Sequence, residues 1–214
     1  MTASIRAFLF DLDNTLYPVA SGLVAAGDVR ITDYIAGRLA IPRAEADAIR
    51  VRTWREYGAT ARGLAVEFGL DPAEMYAYAI DTIDPGEYLQ PAPRLRAMLQ
   101  SLPASSYVLT NASAGYAHKV LAALGVAECF VGVFDISVAG YLSKPDPAPY
   151  KAALERLAVP AEAIVFVDDS ADNLLPARQL GMRTVLVGDG PCAEADVCLV
   201  DVLDVATTVD SLGD

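Results

Sequence analysis

The stretch SIRAFLFDLDNT, residues 4–15, joins a short apolar run directly to two carboxylates, Asp11 and Asp13. The apolar run has the length and composition of a buried strand, so both acids are expected at its carboxyl end. Two carboxylates this close repel each other, and burial penalises the charge on each. A divalent cation would offset that cost, and a division of roles into nucleophile and proton donor would give the pair a purpose. The stretch therefore predicts both a first strand and a site.

Five more short apolar runs follow, and helical patterns separate them after about residue 90. Runs of this length suit strands that are buried on both faces of a sheet. Strands that alternate with helices predict a parallel sheet with helices on both sides. The six predicted strands are residues 5–10, 107–109, 131–136, 164–167, 184–187 and 197–200. We therefore predict an α/β fold with a Rossmann-like three-layer core.

Between the first two predicted strands the chain contains helical patterns only. Helical spacing is present in Ile31, Ile35 and Leu39, and again in Trp54, Tyr57 and Ala61. Most of the aromatic residues in this segment are expected in its core. We predict an all-helical cap of residues 18–90, inserted into a catalytic core of residues 1–17 and 91–214. The acidic tail, residues 201–214, is expected to fray.

The composition limits the class of partner. The 214 residues carry 16 Lys and Arg against 28 Asp and Glu, a formal charge of −12. Because of this negative charge, we do not expect nucleic acid polymers or anionic membranes as partners. No apolar run approaches the ~20 residues that a membrane-spanning helix needs. A small phosphorylated substrate remains compatible, because a metal ion and one lysine reverse the potential locally.

The cysteines and the single histidine bear on the cellular location of the protein and on the kind of site it contains. Cys129, Cys192 and Cys198 are odd in number and lack a CxxC spacing, which predicts reduced thiols. No secretion signal is evident, so a cytoplasmic location is expected. One histidine, His118, argues against a histidine-rich metal site and against Ser-His-Asp chemistry.

Polar residues also follow three of the later strands. Thr110 and Asn111 come directly after the second strand, Lys144 lies in the loop behind the third, and Asp168-Asp169 follows the fourth. In open parallel sheets, ligands bind outside the carboxyl ends of the strands. These residues are therefore expected to meet Asp11 and Asp13 at one edge of the sheet.

Each of these side chains suits a part of phosphoryl transfer, which needs a nucleophile, a proton donor and positive charge around the phosphate. Asp11 is the candidate nucleophile, which would form an aspartyl-phosphate. Asp13 would protonate the leaving oxygen and later activate water. Thr110 and Asn111 would hold phosphate oxygens, and Lys144 would supply a fixed positive charge.

The acids also suit a metal site. Asp168 and Asp169, together with Asp11 and the backbone carbonyl of Asp13, offer the hard oxygen ligands that Mg²⁺ prefers. Such an ion would reduce the repulsion among the carboxylates and orient the phosphate. The sequence does not distinguish Mg²⁺ from Mn²⁺.

Four segments of the chain, in order, resemble the motifs of the haloacid dehalogenase superfamily of phosphatases. They are Asp11-Leu-Asp13-Asn-Thr15, Thr110-Asn111, Lys144-Pro145-Asp146 and Asp168-Asp169-Ser170. The resemblance spans essentially the whole chain and places the predicted cap between the first two motifs, as in one large subfamily. It implies a phosphatase with the roles assigned above. By motif position, Asp169 would bind the metal directly and Asp168 would lie farther from it.

A narrower resemblance points to the pyrimidine 5′-nucleotidase branch. It is carried by Tyr17-Pro18 after the first motif and, in the cap, by Glu56-Tyr57-Gly58 and Arg62-Gly63-Leu64. This branch would imply hydrolysis of UMP or CMP to the nucleoside. Arg62 is the cap residue that this comparison marks as a candidate for substrate specificity.

Other functions on the same scaffold stay open. A phosphoglycolate or sugar-phosphate phosphatase, or a phosphomutase, would need the same groups. A dehalogenase is disfavoured because its relatives lack the acid at the position of Asp13. A non-enzymatic binding protein would have no need to keep Asp11 and Lys144. The chain is expected to be a monomer or a homodimer.

Overall fold

Six parallel strands form one sheet in the order β3-β2-β1-β4-β5-β6. The computed structural model describes residues 4–190, 192–209 and 212. The strands are β1 (Ala7–Phe10), β2 (Ser105–Leu109), β3 (Phe130–Phe134), β4 (Ile164–Asp168), β5 (Arg183–Val187) and β6 (Val197–Leu199). All six predicted strands are present, with ends displaced by about two residues at most, which is the usual uncertainty of such ends. The predicted α/β class is confirmed.

Eight α-helices accompany the strands in the described ranges. They are α1 (Leu23–Leu39), α2 (Arg43–Tyr57), α3 (Thr60–Phe68), α4 (Pro72–Met75), α5 (Pro93–Ser101), α6 (Ala114–Ala123), α7 (Pro147–Leu157) and α8 (Ala171–Gln179). A π-helical turn, Tyr76–Ile80, continues α4. Every helix described is too short or too polar to cross a membrane.

Side chains along each strand point alternately to the two faces of the sheet, and this divides the core into two apolar layers. Phe8 and Phe10 of β1 pack in the layer that contains α5 and α6, whereas Leu9 packs in the layer that contains α7 and α8. Successive side chains of a strand point to opposite faces, so every central strand supplies both layers. The result is the predicted three-layer core, with helices on both sides of the sheet.

The acidic tail differs from the prediction that it frays. A 3-10 helix spans Val202–Thr208. Asp201 caps its N-terminus, since the Asp201 side chain accepts a hydrogen bond from the amide of Leu203. Val202 and Val205 are buried and pack in the layer of α5 and α6. The apolar spacing of this segment thus outweighs its charge. Residues 210, 211, 213 and 214 lie outside the described part of the chain.

The prediction of reduced thiols is wrong for two of the three cysteines. Cys192 and Cys198 form a disulfide with their Cα atoms 5.9 Å apart, which ties the turn Cys192–Glu194 to β6. Cys129 keeps a free thiol. The disulfide removes one of the arguments for a cytoplasmic location.

The segment between β1 and β2 contains helices and turns only, as predicted. Its core is a cluster around Tyr34, Ile35, Leu64 and Met75, with Ile31 and Leu39 packed against it. The exact limits of the cap, at residues 18 and 90, stay a prediction.

One expectation for the cap is wrong. Tyr57 and Ala61 do not share a helix face, because α2 ends at Tyr57 and α3 begins at Thr60. Gly58 stands between them with φ +77°, a left-handed conformation that glycine adopts without steric cost. Trp54, which lies within α2, is also not in the cap core, and 59% of its surface is exposed.

Gly63 of α3 packs tightly against Thr53 and Tyr57 of α2. A Cβ atom built on Gly63 would lie 2.8 Å from Cγ2 of Thr53 and 2.8 Å from Cδ2 of Tyr57. Thr53 is fully buried. Packing between two helices therefore accounts for the glycine in Arg62-Gly63-Leu64, independently of any substrate.

Replacing Gly63 with alanine should destabilise the cap. The new methyl group would overpack the contact between α2 and α3, at a cost of about 1–3 kcal/mol in the free energy of unfolding. Urea denaturation measures this change. The matched control is Gly37→Ala in α1, where a Cβ would have no atom within 4 Å. That control should be neutral or stabilise by about 0.5–1 kcal/mol. Equal stability of the two variants would contradict the packing role of Gly63.

Candidate active site

The residues predicted for the site meet at the carboxyl edge of the sheet. Asp11 follows β1, and its amide donates to the carbonyl of Val167 in β4 at 2.8 Å. Asp168 is the last residue of β4, and Thr110 follows β2. Because β1 lies between β2 and β4, Asp11 occupies the middle of this edge.

Lys144 joins the two buried carboxylates. Its ammonium nitrogen lies 2.6 Å from Oδ1 of Asp11 and 2.7 Å from Oδ2 of Asp168, and only 1% of its side chain is exposed. The same nitrogen lies 5.2 Å from the ring centre of Phe166. A charge-assisted pair of this kind is strong because water is excluded from it. Lys144 is therefore fixed where it can neutralise charge on Asp11 and on a bound anion.

The side chain of Asn111 fixes the backbone of Lys144 through two hydrogen bonds. Its side-chain amide donates to the carbonyl of Lys144 at 3.1 Å, and its side-chain oxygen accepts from the amide of Lys144 at 2.8 Å. With both side-chain groups engaged, a contact between Asn111 and phosphate would have to use its backbone amide. The hydroxyl of Thr110 accepts from the amide of Ala112 at 3.0 Å, which leaves its proton available to a phosphate oxygen.

The carboxylate of Asp168 is surrounded by donors. Besides Lys144, it accepts from the backbone amide of Ser170 at 2.9 Å and from the side-chain amide of Asn173 at 2.9 and 3.1 Å. Tyr150 donates to the carbonyl of Asn173 at 2.7 Å. The sequence prediction did not include Asn173. Its position in the first turn of α8, five residues after Asp168, was the signal that could have identified it.

Asp11, Asp168 and Asp169 form an acidic cluster that could hold a metal ion. One carboxylate oxygen from each lies within 4.8 Å of the others. Thr15, the last residue of the first motif, was assigned no role from the sequence. Its hydroxyl donates towards Asp11 at 3.2 Å and towards Asp169 at 3.3 Å. Among the described residues, Lys144 is the one cationic side chain that hydrogen-bonds to these acids. The oxygen donors and the excess negative charge fit a hard divalent cation such as Mg²⁺.

Burial sets the proton affinity of these groups. It raises the pKa of Asp11 to about 8, although Lys144 opposes the rise. It raises the pKa of Asp169 to about 6, and the nearby charge of Asp168 adds to the effect. Burial alone would lower the pKa of Lys144, but Asp11 and Asp168 outweigh it and hold that pKa above its ordinary value. The charged form of Lys144 is therefore favoured, whereas Asp11 and Asp169 bind protons more readily than ordinary aspartates.

Asp13 is held by two tyrosines, Tyr17 and Tyr116, for which the sequence predicted no role at the site. Tyr17 and Tyr116 both donate to Oδ1 of Asp13, the latter at 3.0 Å. No described side chain hydrogen-bonds to its other oxygen, Oδ2. Burial raises the pKa of Asp13, and the two hydroxyl donors oppose the rise. Asp13 is thus oriented through one oxygen and can exchange a proton through the other.

A cavity of about 550 Å³ begins at Asp13 and extends between the core and the cap. On the core side it is lined by Asn111 and Tyr116, and on the cap side mainly by apolar residues of α1, α2 and the π-helical turn. Tyr76 of that turn donates to the carbonyl of Asn111 at 2.9 Å, which links cap and core beside the cavity.

Arg62 does not line this cavity. Its guanidinium lies 3.9 Å from the carboxylate of Asp146, in the loop that follows Lys144. The pair connects α3 of the cap to the core. A role for Arg62 in substrate specificity stays a prediction.

Comparison with known proteins supports the family indicated by the four motifs. The sequence model of the haloacid dehalogenase-like hydrolase family matches residues 5–181. A phosphoglycolate phosphatase from Pectobacterium atrosepticum is 31% identical over 200 residues, which is 85% of this chain and 80% of that protein. Phosphate metabolism protein 8 from Saccharomyces cerevisiae is 26% identical over 195 residues, 85% of this chain. The match spans 61% of the length of that yeast protein.

The fold has close counterparts among solved structures. A HAD phosphatase from Thermococcus onnurineus superimposes with a TM-score of 0.68, covering 96% of this chain and 98% of that one. The two sequences are 20% identical. At this identity the likeness concerns the fold alone.

The affinity of the acidic cluster for Mg²⁺ should rise with pH. A carboxylate must lose its proton before it coordinates a metal. Affinity is therefore expected to increase as the pH passes about 6, the pKa of Asp169, and again about 8, the pKa of Asp11. Isothermal titration calorimetry between about pH 5 and pH 9 measures it, with proton release in buffers of different ionisation enthalpy as a second readout.

Two asparagine variants complete this test. Asp169→Asn should weaken Mg²⁺ binding, whereas Asp172→Asn, which changes an exposed acid in the first turn of α8, should leave it unchanged. Affinity that is independent of pH, or equal effects of the two variants, would contradict a metal site at this cluster.

Proposed function

Because the chain belongs to the haloacid dehalogenase-like hydrolase family and is a phosphatase, we propose that it hydrolyses a small phosphate monoester with Mg²⁺, through an aspartyl-phosphate intermediate on Asp11. The observation that carries this proposal is the pairing of Asp11 with Lys144 at 2.6 Å, next to the acidic cluster. Phosphate would bind where Asp11, Lys144 and the hydroxyl of Thr110 converge. The leaving group would extend into the cavity that starts at Asp13.

In the first step, a carboxylate oxygen of Asp11 attacks phosphorus and the bond from phosphorus to the leaving oxygen breaks. The leaving oxygen takes the proton of Asp13, whose free oxygen Oδ2 is available for the transfer. Burial raises the pKa of Asp13, which favours the protonated form that a general acid needs. Lys144 stabilises negative charge that develops on the phosphoryl oxygens.

In the second step, Asp13 acts as the base. It takes a proton from water while the water oxygen attacks phosphorus, and the bond from Asp11 to phosphorus breaks to release inorganic phosphate. Asp13 ends the cycle protonated, as it began, and Asp11 ends it as a free carboxylate. Tyr17 and Tyr116 keep the Asp13 side chain in one orientation through both steps.

Mg²⁺, when bound, supplies positive charge that neutralises the carboxylates and the phosphate. Asp11 and Asp169 are the proposed side-chain ligands, together with the backbone carbonyl of Asp13. Asp168 would act mainly by holding Lys144, because four hydrogen bonds already engage its oxygens. This arrangement supports the different roles proposed for Asp168 and Asp169.

Two substrate classes are proposed. The nucleotidase-like segments favour a pyrimidine 5′-nucleotide such as UMP or CMP. The alternative is phosphoglycolate or a sugar phosphate, which the relative from Pectobacterium atrosepticum supports at 31% identity. A phosphomutase on the same scaffold is a further alternative. We also propose a cytoplasmic location and a monomeric or homodimeric state.

Asp11→Asn should abolish turnover while the fold is retained. The amide cannot act as the nucleophile, so phosphate release should fall by at least about a thousandfold. Release of inorganic phosphate in the presence of Mg²⁺ measures the loss, and circular dichroism checks the fold. The control Asp172→Asn should keep full activity. Undiminished turnover by Asp11→Asn would refute the mechanism.

A panel of substrates should identify the branch. Phosphate release from UMP and CMP is expected to exceed that from AMP and phosphoglycolate, each compared by kcat/KM. Equal rates on AMP would refute the pyrimidine preference but leave a general phosphatase. Conversion of a sugar phosphate to its isomer without free phosphate would favour the phosphomutase instead.

A further inference from the structure

We propose that the cavity under the cap is a subsite for a bulky, flat leaving group that packs against Trp54, and that this residue determines substrate preference. The inference rests on the proposed phosphatase function, because it names the class of ester that the same site accepts. The expected substrates are phosphate monoesters whose leaving group contains an aromatic or heteroaromatic ring, and hydrogen-bond acceptors on that ring would add a further contact. Two-carbon and three-carbon acids fall outside this class.

The first argument is the size and lining of the cavity. Its volume of about 550 Å³ falls within the range of about 300–1,000 Å³ that is typical of sites for drug-sized ligands. A glycolate leaving group would fill only a small part of it. The cap side of the cavity includes Leu23, Ile31, Val51 and Ile80, which give an apolar surface. Apolar walls favour an apolar group over a small, strongly hydrated acid.

The second argument is the exposure of Trp54. It lines the cavity and yet is 59% exposed, and Val24, also on the cavity wall, is 37% exposed. Tryptophan is usually largely buried, so an exposed indole beside a cavity is an informative exception. A flat ligand that stacks on this indole would cover it. Trp54 is the sole tryptophan in the chain, which also makes it a specific reporter.

The third argument is the charge on the cavity wall. Asp28 and Arg50 line the cavity, but they form an ion pair at 2.9 Å, and Arg50 also pairs with Asp47. Arg55, the residue next to Trp54, also lines the cavity. In the part of the chain that is described, no carboxylate lies within ion-pair distance of Arg55. A carbonyl or other acceptor on the leaving group would therefore find a donor beside the indole.

Binding can be measured without turnover. The Asp11→Asn variant with Mg²⁺ is titrated with UMP, phenyl phosphate or phosphoglycolate while the fluorescence of Trp54 is recorded. UMP and phenyl phosphate should change the emission saturably, whereas phosphoglycolate should leave it nearly constant. An emission that does not respond to UMP and phenyl phosphate, or that responds equally to phosphoglycolate, would overturn the proposal.

Kinetics of the active enzyme provide the second test. Trp54→Ala should lower the ratio of kcat/KM for UMP to that for phosphoglycolate by about tenfold, mainly through KM. Trp54→Phe, which keeps a flat ring, should restore most of the ratio. The matched control is Val66→Ala in α3, which removes a 65% exposed apolar side chain that does not line the cavity, and should not alter the ratio.

Arg55→Ala separates the acceptor contact from the stacking contact. It should raise KM for UMP, which has acceptors on its base, more than KM for phenyl phosphate, which has none beyond the phosphate. Equal effects of Trp54→Ala on all three esters, or of Arg55→Ala on the two flat esters, would count against the subsite.

Different results would refute the proposed phosphatase function and the proposed subsite at Trp54. If no ester releases phosphate, the proposed function is wrong, and the fluorescence titration still decides whether the cavity binds flat phosphates. If phosphoglycolate is the best substrate and the Trp54 variants change nothing, the phosphatase function stands and the proposed subsite is refuted.

Discussion

The burial of two carboxylates against one ammonium is the constraint on which the site depends. Asp11 and Asp168 are almost without solvent, and each would be costly to ionise in that environment without a partner. Lys144 lies within hydrogen-bond distance of both. The ammonium in turn is accommodated only because two carboxylates face it. Removal of Lys144 would leave two buried carboxylates without a cation, so the geometry of the site is held by electrostatics as well as by packing.

The sheet explains how residues so distant in sequence form this group. Lys144 is 133 positions from Asp11 and 24 positions from Asp168. The parallel order β2-β1-β4 brings the carboxyl ends of three strands side by side, and the loop behind β3 returns Lys144 to the middle of that edge. Asn111 then fixes the backbone of that loop. Local sequence therefore determines each strand end, and the topology determines which ends are neighbours.

This difference between local sequence and topology explains what could be predicted from the sequence. Strand positions and the convergence of Asp11, Lys144 and Asp168 followed from apolar runs and from the rule that ligands bind at carboxyl ends. The positions of the tyrosines around Asp13 could not be predicted in this way. The contact between Tyr116 and Asp13 spans 103 positions and depends on the direction of a side chain on a helix. Helical spacing placed Trp54 in the cap core, but its side chain is 59% exposed and lines the cavity. The disulfide joins two cysteines across a turn that carries no recognisable spacing.

The insertion of the cap between β1 and β2 has a consequence for how such proteins diversify. Nearly every charged group of the site belongs to the core, whereas the cavity wall that faces the leaving group belongs to the inserted helices. The insert meets the core beside the cavity through few polar contacts, among them the hydrogen bond from Tyr76 to Asn111. Substitutions in the helical insert can therefore reshape the wall around the leaving group while the charged groups of the core keep their positions.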